Sequence, residues 1–361
     1  LHCSQNLPYT QDMPTLSVVK VEFTTVAKWL GIIIAVFIGL FLIVKTLIFI
    51  KEAISPTPPK PPEAKFGKLP EVLFPQSPKN NLTYKVDTIT GDLPNLPDRS
   101  KVYKMVHPEP NLLAVQRASE KVASLGFSPK PEQISDIFYR WKREEAPFQI
   151  LTLNVNQAQL NLSSSFIQDK DILSGQGLPG KDDAISIATG FLQSLELYPN
   201  DIDEQKTLAK LIRVENGSLL DASSISSASI ISVYFFSKDK DNMPIVYPQG
   251  KRSSMNITIS GRGSESTPQI IDGRFFYQKP TGQSSVYGIK TAAEAFDELK
   301  KGGAYIASLG GISREVLIKN VYLAYYVEGQ EQDFLMPVIV FEGNDGFVAY
   351  VSAVKDEMIR N

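Results

Sequence analysis

The sequence predicts an α+β protein with one N-terminal transmembrane helix, a Pro-rich stalk, and then antiparallel sheets with helices packed on one face. Three observations support this fold class. An apolar run occupies residues 29–50, prolines crowd residues 55–78, and beyond residue 80 the apolar pattern alternates between the strand period and the helix period. Consecutive strand patterns recur there without a helix between them, which argues against a parallel sheet.

The apolar run at residues 29–50, WLGIIIAVFIGLFLIVKTLIFI, is long enough to cross a bilayer as one helix. A hydrocarbon core about 30 Å thick needs about 20 apolar residues at the helical rise. A buried core helix and a signal peptide are the alternatives, but the run exceeds a signal-peptide core and no small-residue cleavage pattern follows it. Lys45 lies near the far end, where its side chain can reach the headgroups. We therefore expect a single-pass membrane protein with a short polar tail at residues 1–28.

Two signals conflict on the side of the membrane where the C-terminal region lies. More lysines lie in or soon after the span than before it, so a positive-inside count places the C-terminal side in the cytoplasm. However, a short tail followed by an anchor and a large domain is the usual plan of an exported protein, and long domains translocate largely regardless of their charge. We expect the C-terminal domain to be extracytoplasmic.

Residues 51–79 are predicted to form a Pro-rich linker. Proline fixes its own φ and removes a backbone donor, so SPTPPKPPEAKFGKLPEVLFPQSP at residues 55–78 favours polyproline II over helix or central strand. Such a stalk would hold a domain some tens of ångströms from the membrane. A ligand for an SH3-type domain is the alternative interpretation of the segment.

Residues 80–165 are predicted to form a first α+β unit. Strand patterns at 82–90 and 101–106 precede a helix at 111–125, with Asn111 as its N-cap. Alternating apolar residues then predict two half-buried antiparallel strands, one through Ile137, Tyr139 and Trp141, the other through Leu151, Leu153 and Val155.

Residues 166–361 are predicted to form a second, larger α+β unit. Its first helix begins near Ala184 and aligns without gaps with the helix from Ala114, so the prediction includes a duplicated helix-and-sheet unit. A later helix opens on the capping box of Thr291 and Glu294. Strand patterns occur at residues 207–214, 230–236, 255–259, 316–327, 334–341 and 347–354, and Asp345-Gly346 predicts a hairpin turn between the last two.

Composition and motifs argue against several kinds of chemistry. The 361 residues carry a formal net charge of -2 without a basic stripe, so no nucleic-acid partner is expected. The one cysteine is Cys3, in the tail, so the rest of the chain forms no disulfide or thiolate metal site. The histidines are His2 and His107, no nucleophile or nucleotide motif accompanies them, and the Asp pairs at 169/171 and 239/241 lack the Gly and Glu of a calcium loop. We expect no cofactor, no metal and no catalytic activity.

The first candidate set for binding a partner lies in the predicted span. Gly31, Ala35 and Gly39 recur four residues apart and form a small-residue face on which another helix can pack closely. Gly and Ala are also common in membrane helices that make no such contact, which is the alternative.

The second candidate set is aromatic and comprises Tyr322, Tyr325, Tyr326 and Phe334. Successive residues of a strand point to opposite faces, so we expect one of Tyr325 and Tyr326 in the core and the other exposed. A protein-binding surface is one interpretation, and packing in the core and at the sheet edge is the other.

Three stretches near the C-terminus, KTAAEAFDELKKGGAYI, VYLAYYVEG and DFLMPVIVFEGNDGFVAYVSAV, combine a helix ending in Gly-Gly with three strands. They resemble the C-terminal part of YycH/YycI-type membrane-anchored regulatory proteins and of PepSY-like modules. The resemblance implies an extracytoplasmic domain that binds a membrane partner such as a sensor kinase, or restrains a peptidase. It implies no chemistry.

We therefore expect a single-pass, membrane-anchored, extracytoplasmic binding or regulatory protein of the cell envelope. Its expected partners are the lipid bilayer and another membrane or envelope protein, and self-association into an oligomer is left open. A structural subunit of an envelope or surface assembly is one alternative. A membrane-anchored hydrolase with a carboxylate-based site is another, because two acids brought together by the fold leave no trace in the sequence.

Overall fold

The structure of the protein, a computed structural model, describes residues 28–46, 62–76, 81–109, 111, 113–145, 148–261, 268–312 and 314–360. The chain divides into two compact units, Leu1–Pro61 and Pro62–Asn361. Almost all of the predicted tail, the end of the predicted span at 47–50, and the prolines before Pro62 lie outside the described residues.

The described part of the first unit is one helix, α1 (Lys28–Thr46), whose length and composition suffice to cross a membrane. Its side chains are not buried against other described residues, as expected of a helix that would face lipid. A Cβ added at Gly31 or Gly39 would meet no atom within 4 Å, and Ala35 is exposed. This face is therefore open, and its use in helix packing stays a prediction.

The second unit consists mostly of strands. Its longer described helices are α2 (Ala114–Ser124), α3 (Lys170–Leu173), α4 (Lys181–Ser194) and α5 (Ala292–Lys300). Its strands are β1 (Thr83–Val86), β2 (Arg99–Met105), β3 (Glu132–Gln133), β4 (Phe138–Arg143), β5 (Gln149–Asn154), β6 (Ala158–Ser164), β7 (Leu208–Glu215), β8 (Ser218–Asp221), β9 (Ile230–Phe235), β10 (Ile245–Val246), β11 (Met255–Ser260), β12 (Gln269–Tyr277), β13 (Pro280–Gly288), β14 (Tyr305–Ser308), β15 (Glu315–Tyr326), β16 (Phe334–Gly343) and β17 (Val348–Ser352).

Among the described residues these strands form two sheets. The nine-stranded sheet has the order β3-β4-β5-β6-β12-β11-β9-β7-β8 and is antiparallel throughout. The eight-stranded sheet follows β1-β15-β16-β17-β14, with β2, β10 and β13 attached; only β1 and β10, against β15, pair in parallel. The predicted α+β class is confirmed. Strands from both predicted units, 80–165 and 166–361, contribute to both sheets, so the boundary at residue 165 does not separate the sheets.

One face of the nine-stranded sheet carries two helices. The predicted alternation on β11 is confirmed, because Met255, Ile257 and Ile259 are all buried in the core under this face. Helices α2 and α4 bury side chains in the same core, including Val122 and Ala188. These are the helices predicted to be related by duplication; they pack on one sheet, and the duplication itself stays a prediction.

Both faces of the eight-stranded sheet are covered. Helix α5 packs on one face, and its predicted capping box is present: the Glu294 amide donates to Thr291 Oγ1 (3.2 Å) and the Thr291 amide donates to Glu294 Oε2 (2.7 Å). The predicted hairpin between β16 and β17 is also present, with Asp345 and Gly346 at φ of 51° and 85°. Helix α2 begins later than predicted, because Leu113 is its N-cap and Asn111 instead accepts a hydrogen bond from the Leu113 amide (3.0 Å).

The prediction of a stalk at residues 51–79 is wrong for residues 62–76, which we call the strap. The strap lies on the second face of the eight-stranded sheet and buries Leu69 and Val72 there. The strap turns at residues 64–67, and its backbone also forms hydrogen bonds with side chains: the Leu73 amide donates to Glu328 Oε1 (3.0 Å). Proline does exclude helix and central strand here, but the apolar residues between the prolines give the strap a face to bury.

Candidate functional site

A groove of about 790 Å³ lies over the face of the nine-stranded sheet that carries no helix. The floor is mainly polar and contains Asn161 and Ser163 of β6, Asp272 and Arg274 of β12, Asn256 and Thr258 of β11, and Ser232 and Tyr234 of β9. The walls include Pro75 of the strap, Arg252 and Ser254 before β11, Tyr305 of β14 and Glu328 after β15. The volume is within the range of ligand sites, roughly 300–1,000 Å³.

The polar floor follows from the strand period. Residues between the buried positions of β11, such as Asn256 and Thr258, must point away from the core. The sheet register then places Asn256 directly between Tyr234 of β9 and Arg274 of β12. Across the next strand, Arg274 lies opposite Asn161 of β6. The floor is therefore a cross-strand row of hydrogen-bonding side chains.

A second row runs beside the first. Thr258 lies opposite Ser232 on one side and Asp272 on the other. The hydroxyls of Ser232 and Thr258 are hydrogen-bonded to each other at 2.9 Å. Asp272 and Arg274 are two residues apart on β12, so both point to the groove about 7 Å apart along the strand.

Asp272 and Arg274 are the two charged residues on the central strands of the floor. Neither the carboxylate of Asp272 nor the guanidinium of Arg274 has a hydrogen bond or an ion pair with another described residue. Burial raises the pKa of the Asp272 carboxyl to about 6, and nearby Arg274 offsets this only in part. A half-buried carboxylate without a hydrogen-bond partner destabilises a fold, so such a group is a candidate for binding or catalysis.

The walls hold further polar groups. Arg252 Nη2 lies 3.3 Å from Asp221 Oδ1 at one end of the groove. The hydroxyl of Ser254 is buried and has no hydrogen-bond partner among the described residues. Burial raises the pKa of Glu328, although the hydrogen bond from the Leu73 amide opposes this. Through Glu328, the strap is tied directly to the groove wall.

The expectation that one of Tyr325 and Tyr326 is exposed is wrong. Both are buried, because the sheet that contains β15 is covered on both faces. The Tyr325 hydroxyl donates to the Lys101 carbonyl (3.0 Å), and the Tyr326 ring packs against Phe74 of the strap, with ring centroids 5.0 Å apart. These two tyrosines belong to the core.

The other two predicted aromatic residues are half-buried. Tyr322 donates a hydrogen bond from its hydroxyl to Glu342 Oε1 (3.0 Å). The ring of Phe334 packs against Phe66 of the strap, with centroids 5.3 Å apart. Their role in binding a protein stays a prediction, and neither lines the groove.

The histidine that the structure describes is away from the groove. His107 lies on the loop after β2, with Nδ1 2.7 Å from Glu331 Oε1 and Nε2 3.2 Å from Asp333 Oδ1. In the described ranges no group of three or more His, Cys, Asp or Glu side chains is placed to hold a metal ion. His2 and Cys3 lie outside those ranges.

The groove was not predicted from the sequence. The alternation on β9, β11 and β12 shows that polar residues share one face, and a polar face is ordinarily solvated. That this face becomes a groove depends on the walls, which come from segments as distant as Pro75 and Glu328.

No protein-family model matches the chain. No well-characterised protein matches it in sequence. Among solved structures, an uncharacterized protein from Eubacterium rectale ATCC 33656 is similar over 78% of this chain and 92% of that chain, with a TM-score of 0.42 and 13% identity. YycH from Bacillus subtilis is similar over 72% of this chain and 53% of that chain, with a TM-score of 0.29 and 10% identity. These scores are too low to establish a common fold, and the resemblance to YycH/YycI-type proteins stays a prediction.

Proposed function

We propose that this chain is a single-pass, membrane-anchored binding or regulatory protein of the cell envelope, and that its groove is the ligand-binding site. The groove carries the proposal: its floor presents an unpaired carboxylate and an unpaired guanidinium beside neutral hydrogen-bonding groups. A half-buried carboxylate without a hydrogen-bond partner lowers the stability of the fold, and a bound ligand would supply that partner and could also pair with the exposed guanidinium. Binding requires no chemistry, in keeping with the absence of nucleophile and nucleotide motifs from the sequence.

A membrane anchor in the same chain would keep this site near the membrane. Helix α1 supplies the span, and its open face at Gly31, Ala35 and Gly39 is available to a partner helix or to a second copy. A regulatory protein of this plan would act by contacting another membrane or envelope protein, with no cofactor.

The domain after residue 61 is expected to lie outside the cytoplasm. We expect alkaline phosphatase fused after Asn361 to be active and a fluorescent protein at the same position to be dark. The same two fusions to a chain lacking residues 1–50 provide the control, and their pattern should reverse. Fluorescent, phosphatase-negative cells for the full chain would show that the lysine count predicts the orientation and that the domain is cytoplasmic.

Occupancy of the groove can be measured in the native host. A photo-crosslinking residue, p-benzoylphenylalanine, at exposed Asn161 on the floor should label one envelope component. The same residue at Lys142, exposed on the same sheet two strands away, should not. Introducing Arg274→Ala should reduce the adduct from position 161 about tenfold, because charge-assisted hydrogen bonds are the strongest polar contacts available there. Equal labelling from both positions, or none from 161, would contradict the proposal.

A carboxylate-based hydrolase is a second candidate, and one observation favours it. Asp272, with a pKa of about 6, shares the groove with Asp221 and Glu328, and a carboxyl with a raised pKa is what a general acid requires. The two candidates differ in what happens to a bound ligand. Cleavage products that disappear with Asp272→Asn would identify the hydrolase.

A further inference from the structure

The groove is long enough to hold an extended, chain-like ligand. Its lining residues come in turn from β6, β12, β11, β9, β7 and β8, which are consecutive neighbours in the nine-stranded sheet. Five spacings of about 4.8 Å make it roughly 24 Å long across the strands. A ligand that contacts the whole floor must therefore be extended and offer hydrogen-bonding groups at intervals along its length.

The charges in the groove nearly balance. The ionisable lining residues are three acids, Asp221, Asp272 and Glu328, and two arginines, Arg252 and Arg274. Arg252 already pairs with Asp221. Neither a polyanion, such as a phosphate-rich chain, nor a polycation finds an excess of opposite charge here. The balance favours a ligand that is close to neutral.

An extended peptide is the less suitable neutral chain. Strands β12, β11 and β9 each pair with a neighbour on both sides, so the middle of the floor offers no free strand edge to which a peptide could add; of the floor strands that line the groove, β8 at one end is a sheet edge. Peptide and protein partners otherwise rely on aromatic or aliphatic anchors in apolar pockets. The groove does contain apolar side chains, Pro75, Pro248 and Tyr305 in the walls and Ile212 and Leu219 at the β7–β8 end. The floor from β6 to β9 instead presents amides, hydroxyls, a carboxyl and a guanidinium, together with the mostly buried Tyr234.

These side chains match hydroxyl groups. A hydroxyl both donates and accepts, and amides present both a donor and an acceptor, so Asn161 and Asn256 can each hold neighbouring hydroxyls. Arg274 donates from a planar fork and Asp272 accepts on two oxygens, which allows each to contact two groups of one sugar ring. Building on the proposed function, we infer that the groove binds a neutral, hydroxyl-rich linear oligosaccharide, as in a glycan chain of the envelope, with Asn256, Asp272 and Arg274 as its central contacts.

The test is a titration of the full chain in detergent micelles with N-acetylchitotetraose, a neutral linear tetrasaccharide, and with its monosaccharide N-acetylglucosamine. Saturable binding of the tetrasaccharide is expected, with the monosaccharide about tenfold weaker or more because it spans only part of the floor. Arg274→Ala and Asn256→Ala should each raise the tetrasaccharide Kd about tenfold, since each removes hydrogen bonds to a desolvated ligand. Arg140→Ala is the matched control: it lies in the same cross-strand row, outside the groove, and should leave the Kd unchanged.

Two results would overturn the inference. One is tetrasaccharide binding that Arg274→Ala and Asn256→Ala leave unchanged, because the sugar would then bind elsewhere. The other is no tetrasaccharide binding in a protein whose groove still labels an envelope component from position 161. The second result would contradict only the oligosaccharide, and the groove would still be a binding site. If photo-crosslinking from position 161 itself gave no specific adduct, the proposed function would be contradicted as well.

Discussion

Replacing Leu69 with alanine is expected to lower the free energy of unfolding by about 2–5 kcal/mol, as for other fully buried leucines. Leu69 has no exposed surface and lies in the core between the strap and the eight-stranded sheet. Its amide donates to the Met358 carbonyl (2.8 Å), and its carbonyl accepts from the Arg360 amide (2.7 Å). The substitution therefore leaves a cavity where the strap meets the end of the chain, and surrounding backbone held by these bonds cannot easily collapse into it.

Leu73 provides a matched control within the strap. Its side chain is 58% exposed, so Leu73→Ala should change the free energy of unfolding by less than about 0.5 kcal/mol. Denaturant unfolding of the full chain in detergent micelles, followed by tyrosine and tryptophan fluorescence, measures both. Equal, small effects of the two substitutions would show that residues 62–76 are a stalk after all.

Because the strap buries Leu69 and Val72 against the sheet, a chain truncated to begin at residue 82 should be much less stable than one that begins at residue 62.

Replacing Asp272 with asparagine is expected to stabilise the protein near neutral pH, by about 1–3 kcal/mol in the free energy of unfolding. Burial raises the pKa of this carboxyl from 3.8 to about 6. Each pKa unit corresponds to about 1.4 kcal/mol, and the part of the side chain that faces the groove reduces the full value. The native state therefore loses stability when this group ionises, and asparagine removes the ionisation.

The pH dependence follows from the protons that each state binds. As the pH rises from about 4 to about 6, the unfolded chain has already released the Asp272 proton while the native protein still holds it, so native stability falls across this window. The gain from Asp272→Asn should be close to zero below about pH 4 and complete above about pH 7. Asp136→Asn, on the exposed turn between β3 and β4, should show no such gain. A variant destabilised at pH 7 would mean that the carboxylate contributes to the fold.

The sequence was sufficient for elements whose contacts are local. The capping box of α5 joins Thr291 to Glu294, and the β16–β17 turn needs positive φ only at Asp345 and Gly346. Strand alternation likewise depends on residues two positions apart, and the strand pattern at residues 255–259 corresponds to β11, whose Met255, Ile257 and Ile259 lie in the core. In each of these cases the residues that determine the structure lie within a few positions of one another.

The strap and the groove depend on contacts between residues that are far apart in the sequence, which a local sequence pattern does not indicate. Leu69 is covered by the chain near Ile359, and Leu73 bonds to Glu328. Proline spacing correctly excluded helix and central strand from the strap, but it indicated neither the turn at residues 64–67 nor the burial of Leu69 and Val72. The strand period correctly places Tyr325 and Tyr326 on opposite faces. Both are buried because the strap covers Tyr326 and the helix-side core of the nine-stranded sheet contains Tyr325. A polar strand face, similarly, shows where Asp272 and Arg274 point but not what surrounds them.

We propose above all that Asp272 contacts a ligand at the floor of the groove and that its carboxylate lowers the stability of the fold. Such a trade-off between stability and function is known from other functional sites. Measuring two properties of one variant, Asp272→Asn, tests it most directly: the unfolding midpoint at pH 8, and the yield of the photo-crosslinked adduct from position 161 in the same background. We predict a higher midpoint together with a several-fold loss of the adduct. A variant that is more stable and captures the ligand as well as the native chain would contradict the claim.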